Sequence, residues 1–336
     1  MRGLGVVLSL AMMAVATQAQ SAYKVIDQWK IGGEGGWDYL LADGPAHRLY
    51  VTHATRVEVL DTTTGKPVGA ITGLHGTHGV ALDPEGKLGY ISDGVGNVVV
   101  VFDRATLEKV ASIPAGSNPD AILYEPATKT IWAFNGRSHD ASVIDPASRK
   151  VIATVPLPGK PETATADGQG TLFVNIEDKS LVVKVDTRAR KVVDTWAAGC
   201  ESPTGMVIDV PGHRIFPVGD GNKMSVIDFT SGKLLATAEI GDGPDAAGWN
   251  ATKQLAFASS ADGILAVVDA SAAGYPTLQK LATRPGAKTM IYDPTTDRIY
   301  LSVAEKGPKV APTTAVPNPK AAVVPGSFSI LVVGRN

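Results

Sequence analysis

Seven residues of this sequence could act together on a ligand: Asp38, His78, Asp120, Glu162, Thr204, Asp245 and Lys288. They follow one another at separations of 40, 42, 42, 42, 41 and 43 residues. Carboxylates offer the oxygen ligands that Ca²⁺ or Mg²⁺ prefers, and an imidazole is a proton carrier near neutral pH. Two carboxylates placed side by side either share a proton at raised pKa or hold a cation between them. Asp120 and Glu162 lie one repeat apart with His78 one repeat before them, which makes the two acids a metal pair and His78 a candidate base. The competing reading is structural, with each acid accepting backbone N–H groups from the loop that precedes it. The change of residue type from copy to copy favours a ligand-facing role over a purely structural one.

These positions are spaced by a repeat, whose cleanest copy is residues 118 to 155. Short apolar runs at Ala121–Leu123, Ile131–Phe134, Ser142–Asp145 and Val151–Val155 are separated by Pro, Gly, Asp and Ser clusters. Such a unit reads as a four-stranded antiparallel sheet, and a period of forty-odd residues reads as propeller blades. Seven units are present. The last has only three strands, while Lys24–Ile31 matches a fourth strand and precedes blade one. The expected fold is therefore all-β, a seven-bladed β-propeller closed by an N-terminal strand that completes the last blade and leaves no open edge.

In such a ring the first strand of each blade lines a central channel, and its start lies on the face where the loops between strands two and three emerge. The seven residues then surround the channel mouth, with four carboxylates against one lysine giving a negative rim. The same loops contribute His53, Asp93, Asn135, Arg137, His139, Asp140, Asn175, Glu177 and Asp178, against Ser259, Ser260 and Asp262 in blade six. A site offset toward blades two to four follows, with Asp38, His78, Asp120, Glu162, Asp245, Lys288, Asn135, His139 and Glu177 as its ligand-binding residues. A Pro-rich insertion, residues 306–326, belongs to the same face and reads either as a solvated loop or as a flap carrying Lys309 and Lys320 to the rim. On the opposite face Lys24, Lys66, Lys109, Lys150, Lys191, Lys233 and Lys280 mark the start of strand four, where lysine discourages edge-to-edge pairing.

Residues 1–19 read as a cleavable secretory signal, with Arg2, an apolar stretch from Leu4 to Val15 and the small-residue site Thr17-Gln18-Ala19. The remainder, residues 20–336, is expected to be one exported domain, periplasmic or secreted. The formal net charge of −2 argues against a general nucleic-acid binder. A single cysteine, Cys200, excludes an intramolecular disulfide, a CxxC zinc site and a CxxCH haem attachment. Gly32–Gly36 and Gly241–Gly243 lead into no helix and so are not phosphate cradles.

Arg48-Leu49-Tyr50-Val51-Thr52-His53, followed by Val57–Asp61 and Gly65-Lys66, resembles the signature of the YVTN-repeat propellers, the family of the bacterial YncE-like proteins. The pattern returns at Tyr90–Asp93, Phe173–Asn175 and in the Ser-Val-Ile-Asp runs at 142 and 225. The resemblance implies a secreted or envelope seven-bladed propeller and no particular reaction. The leading expectation is a binding protein that uses the mouth for a small ligand, a cation or a protein partner, without a resident cofactor. The alternative is a metal-assisted hydrolase of the lactonase kind, with Asp38, Asp120, Glu162 and Asp245 as ligands of Ca²⁺ or Mg²⁺ and His78 or His139 as base. Weak nucleic-acid binding on the lysine rim ranks third.

Overall fold

A strand buried on both faces needs a continuous apolar run, and the second strands here have one: Thr130–Asn135 is buried throughout, with Ile131 to Phe134 all apolar. The fourth strands alternate instead, as in Lys150–Pro156, because one face is open to solvent. The computed structural model describes residues 22–84, 86–308 and 321–335. In it the strands form seven four-stranded antiparallel sheets, a seven-bladed β-propeller. Helix is confined among the described residues to two short 3₁₀ turns, Gly44–Ala46 and Glu177–Lys179. None of their helices is long and apolar enough to cross a membrane. The secretory signal read in residues 1–19 lies outside the described residues.

The last blade comprises Met290–Asp293, Arg298–Val303, Ser329–Gly334 and the closing strand Lys24–Lys30. Lys24 pairs with Gly334 and Trp29 with Ile330, so the seam is an antiparallel ladder, with one register shift between Val25 and Asp27. Trp29 is buried against Tyr300, with ring centroids 5.3 Å apart. Its indole also covers Gly65 so closely that a Cβ there would fall 2.5 Å from the ring.

The third residue of every second strand is aromatic and fully buried: Tyr50, Tyr90, Trp132, Phe173, Phe216, Phe257 and Tyr300. Several reach into the next blade, Tyr50 to Phe102, Phe173 to Phe229, Phe216 to Trp249 and Phe257 to Tyr292, at centroid distances of 5.8, 5.1, 5.2 and 5.4 Å. The core is thus a series of interfaces between sheets, each filled by one large ring per blade.

On the face opposite the mouth the turns from strand three to strand four share one device. Asp61, Asp103, Asp145, Asp186 and Asp228 each accept N–H bonds from the residues two and three positions on. The next residue adopts a left-handed conformation at Gly65, Leu107, Arg149, Arg190 and Gly232. Lysine follows the turn in five blades, but Lys280 departs from the series: it is the fourth residue of Thr277–Ala282, because the preceding turn in blade six is longer. From there it reaches back to Glu239 of blade five, 2.6 Å away.

Candidate functional site at the channel mouth

Five first strands carry a β-bulge at the ring position. In blade one the pairing steps from Trp37 opposite His53 to Leu40 opposite Val51, and equivalent irregularities fall at Thr77/Val80, Pro119/Ile122, Pro161/Ala164 and Pro244/Ala246. A bulge places one extra residue on its strand and re-aims side chains. Asp38, His78, Asp120, Glu162 and Asp245 are therefore the second residues of their strands. Thr204 and Lys288 stand two residues ahead of theirs.

Hydrogen bonds from one blade to the next hold this ring in place. The Ser92 hydroxyl accepts from Gly79 N at 2.8 Å and donates to the carbonyl of Asp120 in the next blade. Asn175 donates to the carbonyls of Thr204 and Gly205, both at 3.1 Å, and Ser259 donates to that of Lys288. Thr204 spends its own hydroxyl on the carbonyl of Pro244, 2.8 Å away.

The charges gather into three groups. His78 Nδ1 lies 2.7 Å from Asp38 Oδ2 and 3.5 Å from Asp120 Oδ1. Lys160 reaches Glu162 at 3.0 Å and also bonds Glu177. Lys288 lies 2.7 Å from Asp245. The rim is accordingly less negative than the ring positions alone imply, since Lys160 comes from the loop between blades three and four and His78 is held as an imidazolium. Burial alone would lower the His78 pKa, but the bond it donates to Asp38 and the charges of Asp120, Asp38 and Glu162 push it up to about 9. Burial and the neighbouring Asp38 charge raise Asp120, against the pull of His78 and Lys160. Burial and Asp120 likewise raise Glu162, and burial raises Asp245. Asp120 Oδ1 is a buried acceptor without a hydrogen-bond donor, although it faces the His78 ring, whereas Glu162 Oε2 has the Lys160 ammonium beside it.

Beneath the ring, the next residue in each blade is Tyr39, Gly79, Ala121, Thr163, Gly205, Ala246 and Thr289. Six are small and one is large. Tyr39 crosses the channel from blade one and its hydroxyl lies 2.8 Å from Thr163 Oγ1 in blade four. Gly205 leaves no room for a side chain, since a Cβ there would approach Ala246 Cα to 2.7 Å. Together with Leu40, Val80, Ile122, Met206 and Met290, all of this layer but Thr289 bounds a mostly apolar cavity of about 230 Å³.

The structure brings Asp38, His78, Asp120, Glu162, Asp245, Lys288 and Glu177 to the mouth. Asn135 is instead fully buried, donating to Asp140 Oδ1 at 2.6 Å and to Ser142 at 3.0 Å. His139 sits exposed in a turn with φ of 55°, its backbone held by Asn135 and Leu157. His53 is buried and stacked on Phe328 with centroids 4.2 Å apart. Asp93, Asp178 and Asp262 hold the inter-blade loops by accepting N–H bonds from His75 and Gly76, from Lys160 and from Asp242. Trp37 and Trp249 pack on Phe328 and Phe216. Part of the Pro-rich insertion, residues 309–320, lies outside the described residues with Lys309 and Lys320. Its base is a short hairpin in which Lys306 bridges Val323, tied to the first inter-blade loop by Gly326 N donating to Gly33 O at 3.0 Å.

Tyr39 and Lys160 were not among the residues singled out from sequence. Tyr39 is visible once the position after each ring residue is aligned, as the one large side chain among Gly, Ala and Thr. Lys160 lies two residues before Glu162, outside the repeated position, and had no comparable signal.

No family model matches the chain, and no curated protein matches it. Among solved structures it is similar to Kuenenia stuttgartiensis hydrazine synthase at 15% identity and a TM-score of 0.71, over 80% of this chain and 92% of that one. It is also similar to the structure of U3-55K at 8% identity and a TM-score of 0.73, over 92% and 98% of the two chains. At such identities the likeness establishes the β-propeller fold and nothing of the chemistry.

Proposed function

We propose that this chain is an exported binding protein that seats a small charged ligand, or the charged tip of a partner, in the channel mouth. The observation that carries this reading is the buried acceptor Asp120 Oδ1, left without a donor on a bulged rim above a channel crossed by Tyr39. A buried acceptor without a donor costs about 1–3 kcal/mol, a cost that a bound ligand's donor or cation removes. The YVTN-repeat motifs support an envelope propeller of this kind, and the fold itself is one that serves as an interaction scaffold.

A screen of small charged molecules by thermal shift, followed by calorimetry, tests the reading. A binder is expected whose heat is lost in Lys288→Met and Glu162→Gln while both variants keep their cooperative melting. If nothing binds, or if binding survives both substitutions, the mouth is not the site.

The metal-assisted hydrolase is retained as a second reading because Asp38, His78 and Asp120 could together hold a cation. In that case His78 is a ligand and not the base. Lactone and ester hydrolysis assayed with added divalent metals decides it.

A further inference from the structure

We infer that Asp38, His78 and Asp120 form a binding site for a first-row transition-metal ion such as Zn²⁺ or Co²⁺, taken up through one nitrogen and two oxygens. The inference deepens the reading of the mouth as a binding site by naming an occupant for one side of it.

The three donors come from the first strands of blades one, two and three, and their ligand atoms lie within 4.8 Å of one another. Each backbone is fixed. Asp38 N donates to Thr52 Oγ1 at 3.2 Å, His78 precedes Gly79 whose N–H is bonded to Ser92, and the Asp120 carbonyl accepts from that same Ser92. A site so held does not need to be assembled by the metal.

Asp120 carries the second, independent observation. The residue is 8% exposed, and its Oδ1 has no hydrogen-bond donor although it points at the imidazole. A structural carboxylate in such a position would normally be satisfied.

The distances suit a small cation. Tetrahedral Zn²⁺ with N and O ligands at about 2.0–2.1 Å sets those ligands roughly 3.4 Å apart. His78 Nδ1 to Asp120 Oδ1 is already 3.5 Å, while Nδ1 to Asp38 Oδ2 is 2.7 Å, so the Asp38 carboxylate has to swing outward. The metal then takes the place of the imidazole proton, which passes to solvent. Asp38 and His78 are each 26% exposed on the side chain, so the remaining coordination positions are open to water or to an oxygen-bearing ligand in the mouth.

The donor set also selects. Ca²⁺ takes six to eight oxygens and Mg²⁺ demands an octahedron of them, whereas imidazole suits zinc and its neighbours. The ring reading of Asp120 with Glu162 as an all-oxygen site is thereby replaced by one centred on His78, with Glu162 left to Lys160.

The test uses the full mature chain stripped with a chelator and titrated with Zn²⁺, Co²⁺, Ca²⁺ and Mg²⁺ by calorimetry. A single equivalent of Zn²⁺ or Co²⁺ is expected, with affinity reduced by about 100-fold or more in Asp120→Asn and His78→Gln, since even groups behind a metal's ligands change affinity by about 10–100-fold. Asp262→Asn, on the same face in blade six, should bind as the parent does. X-ray absorption of the Co²⁺-loaded parent should show imidazole scattering, which keeps the test valid if a variant fails to fold. No uptake, uptake unchanged in both variants, absent imidazole scattering, or Ca²⁺ or Mg²⁺ bound as tightly as Zn²⁺ would each overturn the inference. Charged-ligand binding measured with chelator present reports separately on the mouth through Asp245 and Lys288.

Discussion

Tyr39 spans the channel through one hydrogen bond and one ring. Its hydroxyl meets Thr163 from the far side of the propeller, and every other residue at that level is small enough to let the phenol lie across. Tyr39→Phe and Thr163→Val should each destabilise by about 1 kcal/mol, the net worth of a buried hydrogen bond. Because the two groups satisfy each other, the double variant should cost little more than either single one, which a double-mutant cycle from urea melts would read. Fully additive losses would mean that the two groups do not act through each other. The turn aspartates titrate in the other direction from the mouth acids. Asp61, Asp103, Asp145 and Asp228 are each held below the usual carboxylate range, above all by the hydrogen bonds of Thr64, Thr106, Ser148 and Ser231. A depressed folded pKa gives stability that is present above the unfolded value of 3.8 and is lost as pH falls through the lower folded one. Asp145→Asn with Asp228→Asn should therefore be less stable than the parent at about pH 7, by a margin that is smaller at about pH 2.5. Denaturant midpoints at the two pH values check this, and a difference that did not narrow in acid would contradict it.

At the scale of strands and turns, much of the fold was open to reading because punctuation is repeated. Glu125-Pro126, Asp83-Pro84 and Asp293-Pro294 end first strands, and the Asp-x-x-Ser/Thr turns end third strands, so blade boundaries are legible from local chemistry. Lys280 shows where this reasoning stops: the lysine series sets it at the start of a fourth strand, but after the longer turn through Gly274 and Tyr275 that strand begins at Thr277. The seven ring positions follow from the turns that end the first strands, each lying six residues before its turn. What each one bonds was not legible, since Asp38 with His78 and Lys160 with Glu162 are contacts between blades or across a loop, and no local pattern encodes them. The bulges were invisible for the same reason. They are defined by a mismatch between two strands and not by either sequence.

At the scale of the whole ring, one strand decides whether seven sheets become one closed body. Trp29 is the largest side chain of that strand, buried over Gly65 of blade one and against Tyr300 of blade seven. Trp29→Ala should cost about 3–5 kcal/mol, as removal of large buried aromatics does. That is a large part of the roughly 5–15 kcal/mol by which domains are stable. Calorimetric melting should show a fall of many degrees, and deletion of residues 22–31 should give aggregation. A truncated chain that melts within a degree or two of the parent would rule out the seam as a source of stability.

The same seam governs the order of events in folding. Lys24 meets Gly334, at opposite ends of the repeat array, while every other strand ladder among the described residues joins strands consecutive in the chain. Closing so long a loop adds only logarithmically to the entropy cost, yet contacts of such separation come late. Blades one to six can therefore assemble while the first strand waits, unpaired, for the last two to arrive. During that interval Ser329–Gly334 offers a bare edge that fits Lys24–Lys30 of any copy of the chain, its own or a neighbour's. Concentration then chooses between a closed monomer and chains linked by exchanged strands.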